Sequence, residues 1–305
     1  MATLLNPTLR FHVQVKEGKI DFSKKDVLDG VPMIPGVPAA RIAEQRDKCV
    51  LRPDDVFIAT YPKCGTTWTQ QIVKLIINNG VETGIDADVH IPWHEHMSME
   101  EMDAMPSPRF FKSHLPYQLM PGGGDPANTE AKYIYVIRNP KDGAVSQYNH
   151  MKWMMPSDMI PPWDVALKTI TDPASEGTHY GPFYNHYLGW WTHRDAPNIL
   201  ILTYEEMKRN PRTAVTSIAS FLGYNLTDEV IDKIVIDTSF DKMKDNKAVN
   251  KDYGKEVLLG EGQFMRKGVI GDWRNVFTPE QSATMDTLVE EKFAGTGLVF
   301  DYGDD

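Results

Sequence analysis

The chain sets short, fully apolar runs against longer stretches whose apolar residues recur at helical spacing. Three runs stand out: Val56-Phe57-Ile58-Ala59-Thr60, Tyr133-Ile134-Tyr135-Val136-Ile137 and Ile199-Leu200-Ile201-Leu202-Thr203-Tyr204. Runs that are apolar on both faces predict strands of a covered parallel sheet, because a half-exposed strand would alternate. Each is followed by a helical pattern. The first spans Trp68 to Asn79 with Gly80 as C-cap, the second Lys141 to about Lys152, and the third starts near Glu205 and resumes after Pro211. This order predicts an α/β fold: a single domain with a central parallel β-sheet flanked by helices.

Other segments read less regularly. Residues 1–50 are rich in turn chemistry (Asp29-Gly30, Pro32, Pro35-Gly36, Pro38) and predict an irregular N-terminal arm packed on the core. Phe110-Phe111-Lys112-Ser113-His114-Leu115-Pro116 is a short apolar stretch ending in polar groups, and Gly122-Gly123-Gly124-Asp125-Pro126 reads as an exposed loop. Trp153 to Thr178, with Pro156, Pro161-Pro162 and Pro173, reads as a partly irregular cap, and Asn246 to Gly262 as a mobile lid. Trp93, Met97, Tyr148, Met151, Trp153, Met154 and Met155 are candidates to line an apolar pocket, although ordinary core or cap packing is the favoured reading for any one of them.

Parallel sheets bind ligands at the carboxyl ends of their strands, and Lys63, Arg138 and Tyr204 each fall at such an end. The junction after the first strand is the richest. A tight loop there points backbone N–H groups and a helix N-terminus at one spot, which suits a phosphate or sulfate. Lys63 adds a mobile positive charge, Thr66 and Thr67 add hydroxyl donors, and Trp68 offers a flat face for a base. It is P-loop-like in position but is not a Walker A loop, since Lys63 precedes Gly65 instead of following a glycine.

Composition narrows the class. Of 305 residues, 41% are hydrophobic and 24% charged, an ordinary globular balance. The formal net charge is 32 − 42 = −10, which disfavours nonspecific binding to nucleic acid or anionic membrane. An anionic ligand must therefore be drawn in by local cations. The two cysteines, Cys49 and Cys64, show no metal spacing, and no run of 18 or more apolar residues occurs. The expectation is a cytoplasmic protein without metal. Cys64, in a loop of amides beside Lys63, is expected to favour its thiolate, though a plain loop filler is the simpler reading.

Tyr61-Pro62-Lys63-Cys64-Gly65-Thr66-Thr67-Trp68 after a strand resembles the phosphosulfate-binding loop of cytosolic sulfotransferases. Those enzymes take a sulfo group from 3′-phosphoadenosine 5′-phosphosulfate (PAPS) and release the desulfated nucleotide, PAP. Four further segments are similar to the family's motifs, in the same order along residues 61–273, about 70% of the chain. Arg109 to Pro116 resembles the segment carrying the catalytic histidine. The resemblance makes His114 the general base, with Lys112 helping to hold the sulfo group and Lys63 serving the bridging oxygen and the 5′-phosphate. Arg138-Asn139-Pro140-Lys141-Asp142 with Ser146 looks like the 3′-phosphate site. Thr238, Ser239 and Phe240 resemble the adenine-contacting segment, with Phe240 opposite Trp68, and Tyr204 matches a further adenine contact. Gln263-Phe264-Met265-Arg266-Lys267-Gly268 followed by Gly271-Asp272-Trp273 matches the second donor-binding signature, in which Arg266, Lys267 and the Gly268 amide complete the 3′-phosphate cradle.

The resemblance implies a small-molecule acceptor, phenol, steroid, alcohol or amine, with no nucleic acid and no membrane partner. Two positions depart from the family pattern. Cys64 stands where a small Ser, Ala or Gly is usual, and the dimer signature is degenerate at Arg274, Thr278-Pro279 and Ala283, which puts that homodimer in doubt. Two other readings stay open at this level: a P-loop-like nucleotide kinase, and a non-catalytic nucleotide sensor.

Overall fold

Four parallel strands, β3 (Val56–Thr60), β4 (Phe110–Ser113), β5 (Lys132–Ile137) and β6 (Ile199–Thr203), form the central sheet in the order β4–β3–β5–β6. In this computed structural model, residues 13–20, 26–172, 179–250, 260 and 262–303 are described. β3 and β5 are the inner strands, which is why their runs are apolar throughout. Successive residues face opposite layers. Phe57 stacks between Phe111 and Tyr133 at 5.1 and 5.3 Å, whereas Ile58 and Ile134 face Ile72, Ile76 and Ile218 in the other layer. Burial of each such side chain contributes about 1.5–3 kcal/mol.

The elements after the strands begin earlier than their periodicity suggests. The first helix runs Thr66–Ile77, two residues ahead of Trp68, because Gly65 in the left-handed region already ends the loop. The helix after β5 spans Pro140–Met154, with Asn139 accepting the Asp142 N–H and Pro140 in the first turn, where its missing N–H costs nothing. After β6, Thr203 caps Tyr204–Arg209, and Pro211 restarts the helix Pro211–Leu222.

Three regions are more ordered than their composition implies. The N-terminal arm holds a hairpin, β1 (Val27–Leu28) with β2 (Val31–Pro32), turning on Asp29-Gly30, and a helix Ala39–Lys48. That helix buries only Ala39, Ile42 and Gln45, too few apolar positions to announce it in the sequence. The cap contains the helix Trp163–Thr171, which Pro161-Pro162 precede without interrupting, while residues 173–178 lie outside the described residues. In the glycine loop only Gly123 is exposed; Gly124 lies so near the Gln118 carbonyl that a Cβ would come within 2.5 Å. Most of the expected lid, 251–259 and 261, lies outside the described residues. Among the described residues no helix is long and apolar enough to cross a membrane.

Candidate active site

The carboxyl ends of β3, β4, β5 and β6 open on one cavity of about 750 Å³. Its wall includes Lys63, Gly65, Thr66, Thr67 and Trp68 from the first loop, Lys112 and His114 after β4, and Arg138 and Ser146 after β5. Tyr204 joins from the end of β6, Thr238, Ser239 and Phe240 from a later turn, and Phe264 to Gly268 from the C-terminal signature. Thus every catalytic and donor-binding candidate lines this cavity except Cys64.

Local backbone geometry builds the anion end. Lys63 has φ 70° and Gly65 φ 108°, a tight reversal that aims the helix N-terminus at the cavity. A Cβ at Gly65 would sit 3.0 Å from Tyr204 Cδ2, so that position must stay bare. The Thr66 and Thr60 hydroxyls meet at 2.6 Å. The Arg138 guanidinium lies over the Tyr204 ring at 4.2 Å and donates to the Lys63 carbonyl at 3.1 Å, and its Nε is buried with no hydrogen-bond partner among the described residues. Trp68 Nε1 is likewise buried without a hydrogen-bond partner among the described residues, and the ring meets Tyr204 edge-on at 5.4 Å.

A second cationic group closes this end. Arg266 pairs with Asp272, and Lys267 donates to the same carboxylate at 2.6 Å. Burial raises the Asp272 carboxyl, but the two cations outweigh it and hold the group at about 2. Asp142 ties this loop to the helix after β5 by accepting the Gly271 N–H at 2.7 Å and the Trp273 N–H at 2.9 Å. Beneath it Glu205 accepts from the Asn139 backbone and side chain at 3.0 and 3.1 Å, while burial pushes its carboxyl up to about 7. Gly268, at φ 63°, lies against Phe240 so closely that a Cβ would fall 2.2 Å from the ring. Thr238 spends its hydroxyl on the Ile234 carbonyl, and Ser239 precedes the helix Phe240–Asp245 without capping it by its side chain.

His114 lines the same cavity. Its Nδ1 lies 2.9 Å from the Thr60 carbonyl, which can only accept, so Nδ1 carries the proton and Nε2 carries the lone pair. The His114 N–H donates to Glu95 Oε1 at 2.6 Å, and its carbonyl accepts from His186 Nε2 at 3.0 Å. Trp93 meets the imidazole edge-on at 5.2 Å. Lys112 shares the cavity with His114, as extended geometry predicts, but its ammonium is paired with Asp88 at 2.7 Å and lies over the Trp93 ring. Lys63 lies over Phe264 at 4.5 Å and 3.5 Å from His150 Nδ1.

Some expectations change. The Cys64 side chain turns into the core, is fully buried and contacts the Tyr187 hydroxyl at 3.2 Å. Burial pushes its thiol up to about 12, so the expected thiolate is overturned: desolvation outweighs the nearby cations. Met97 belongs to the hydrophobic core, while Trp93, Tyr148, Met151, Trp153, Met154 and Met155 do line the cavity. Pro279 opens the helix Pro279–Phe293, where it is well tolerated, and Arg274 donates to the Tyr302 carbonyl at 2.8 Å.

Several contributors escaped the sequence reading: His150, Glu95, Asp88, and Ile34 with Pro35 from the arm. Only His150 left a signal, since it stands four residues after Ser146 and so shares its helix face. Among the described residues no group of three or more His, Cys, Asp or Glu is placed to hold a metal ion.

Comparison with known proteins gives this arrangement a context. A family model described as the sulfotransferase domain matches residues 53–297. Sulfotransferase 1B1 of Canis lupus familiaris is 38% identical over 295 residues, covering 92% of this chain and 97% of that protein. The crystal structure of mouse sulfotransferase SULT7A1 complexed with PAP superposes with a TM-score of 0.70 at 28% identity, covering 89% of this chain and 95% of that one. Retinol dehydratase, solved with androsterone and inactive cofactor PAP, shares the fold with a TM-score of 0.80 at 23% identity, covering 97% and 96% of the two chains.

Proposed function

The chain belongs to the sulfotransferase family, and from that premise we propose that it moves the sulfo group of PAPS to a hydroxyl or amine of a small, apolar or aromatic acceptor, with His114 as general base. The observation that carries the reading is one cavity lined both by four cationic side chains, Lys63, Arg138, Arg266 and Lys267, and by a histidine whose Nδ1 is held by the Thr60 carbonyl. The donor set fits PAPS. Lys63 and the helix N-terminus suit the 5′-phosphosulfate, whereas Arg138, Ser146, Arg266 and Lys267 suit a separate 3′-phosphate. The Arg138 Nε and Trp68 Nε1, buried without hydrogen-bond partners among the described residues, are donors that suit an anionic or polar ligand. Trp68 and Phe240 offer flat faces to the base, and the Gly268 amide completes the cradle.

PAPS, when bound, supplies the sulfo group and a phosphate leaving group. The protein's own contributions are three. His114 Nε2 takes the acceptor's proton, and the Thr60 carbonyl holds the imidazole in the required tautomer. Lys63, with the loop amides, stabilises charge that builds on the oxygens in transfer, while Lys112 lends a charge already shared with Asp88. Trp93, Met151, Trp153 and Met154 give the acceptor an apolar seat that keeps water from competing.

The kinase reading asks for a lysine after the loop glycine, and here Lys63 precedes Gly65. We propose one domain with its N-terminal arm against the core, because Ile34 and Pro35 of that arm help line the cavity. A homodimer through the degenerate C-terminal signature is not part of this reading. The test is incubation with PAPS and a panel of phenols, steroids, alcohols and amines, read by mass spectrometry for an added SO₃. Transfer to at least one class supports the proposal. Tight PAP binding with no transfer across the panel would favour the sensor instead.

A further inference from the structure

One buried carboxyl beside the proposed base has no part in the steps above. Glu95 lies in the short turn His94–His96 that packs on β4, next to the bridge between Trp93 and Lys112. Its side chain is fully buried, and Oε1 accepts the His114 N–H at 2.6 Å. Ser113 Oγ lies 3.4 Å from the same oxygen, but its single proton has a nearer acceptor, His94 Nε2 at 3.0 Å. His94 can accept there because its Nδ1 donates to Gln45 Oε1, whose own amide protons go to the His94 and Met97 carbonyls. Glu95 Oε2 meets no hydrogen-bond partner of good geometry among the described residues, with His94 Nε2 3.5 Å away and the Trp93 side chain also acting on the carboxyl. A buried carboxylate so poorly satisfied is costly, and structures keep such groups where their charge serves another residue.

We propose that Glu95 is a positioning residue for His114: its carboxylate anchors the His114 backbone and steadies the imidazolium formed when His114 takes the acceptor's proton. This rests on the assignment of His114 as base. In that step the acceptor O–H bond breaks and its electron pair stays on the oxygen, which bonds to sulfur as the S–O bond to the donor's phosphate breaks and that pair leaves on the phosphate, while the proton forms an N–H bond at Nε2. Glu95 neither gains nor loses an atom. It supplies negative charge 2.6 Å from the backbone N–H of the residue that carries the ring, where an opposite charge favours the protonated imidazole.

The groups around Glu95 leave that charge in force. His94 in the same turn is held neutral, pushed down to about 3 by burial, and the Tyr180 phenol is raised well above its ordinary range by burial. Lys112 on β4 faces it too, its charge shared with Asp88, and Arg41 donates to the Glu95 carbonyl, not to its side chain. Burial pushes the Glu95 carboxyl up to about 7 against the pull of the His114 N–H, so it ionises where histidines work.

Glu95→Gln keeps an oxygen for the His114 N–H and removes the charge. The expected result is a kcat about tenfold lower, an unchanged PAP affinity, and a His114 imidazole that titrates at lower pH by NMR. The wild-type imidazole shift should also show two inflections, its own and that of Glu95, of which the variant keeps one. Wild-type kcat and an unaltered His114 titration in Glu95→Gln overturn the proposal while leaving His114 as base. If instead His114→Asn remains fully active, the base assignment fails, and this proposal with it. Should Glu95→Gln not fold, the wild-type titration decides alone: a single inflection overturns the proposal.

Discussion

His114 Nδ1 donates to the Thr60 carbonyl at 2.9 Å, so the proposed base hangs from the last residue of the strand that leads into the anion loop. The Thr60 hydroxyl in turn meets Thr66 at the helix start. One residue therefore fixes the imidazole and abuts the helix N-terminus, which gives base and donor cradle a common register.

The remote cations predict a donor with two separated anionic groups. Arg266→Ala should weaken PAP by about tenfold or more, as expected for losing a charged hydrogen bond. Adenosine 5′-phosphate, which lacks the 3′-phosphate, should lose little. Calorimetric titration of both ligands checks this, and an equal loss for the two would remove Arg266 from the 3′-phosphate cradle.

Gly268 is held at φ 63° with Phe240 pressed on it. Gly268→Ala should cost roughly 1–2 kcal/mol from the backbone alone, and displacement of Phe240 should weaken PAP further. Gly295, at φ 73° with nothing within 4 Å, is the control: its alanine variant carries the backbone cost but keeps PAP affinity. Equal PAP affinity in the two variants would contradict the Phe240 contact.

The fold was legible wherever one face pattern decided it. β3 and β5 are covered on both sides, so their apolar runs could be nothing else, and the loop after β3 carries its chemistry in consecutive residues. The partners of the site residues were not legible. Asp88 meets Lys112 across 24 positions and Glu95 meets His114 across 19, and neither separation is helical or strand spacing. Cys64 misled for a related reason: the loop composition is electropositive, but the direction of one side chain decides between thiolate and core thiol.

Cys64 should accordingly be inert in the native state. At pH 8, iodoacetamide should leave PAP binding intact and label Cys64 only after denaturant exposes it. Rapid native labelling of Cys64 by peptide mapping would contradict its burial beside Tyr187.

His186 predicts part of the acid response. It is fully buried and neutral, accepting from the Tyr135 hydroxyl at Nδ1 and donating to the His114 carbonyl from Nε2, and burial pushes it down to about 4. Between its unfolded value and about 4 the unfolded chain binds the extra proton, so stability falls as pH falls through this window. The shift is worth roughly 3 kcal/mol by pH ~4. Urea unfolding of His186→Gln should show a shallower loss over that range, whatever its stability at neutral pH. An unchanged slope would remove His186 from the acid response.

The central claim is that His114 takes the acceptor's proton in a site otherwise built to hold the donor. Its most direct test is ³⁵S transfer from labelled PAPS by the wild-type protein and by His114→Asn, with PAP affinity measured on both. The account predicts transfer lost by at least about a hundredfold in the variant, with PAP affinity within about twofold. Wild-type transfer rates from His114→Asn would contradict it.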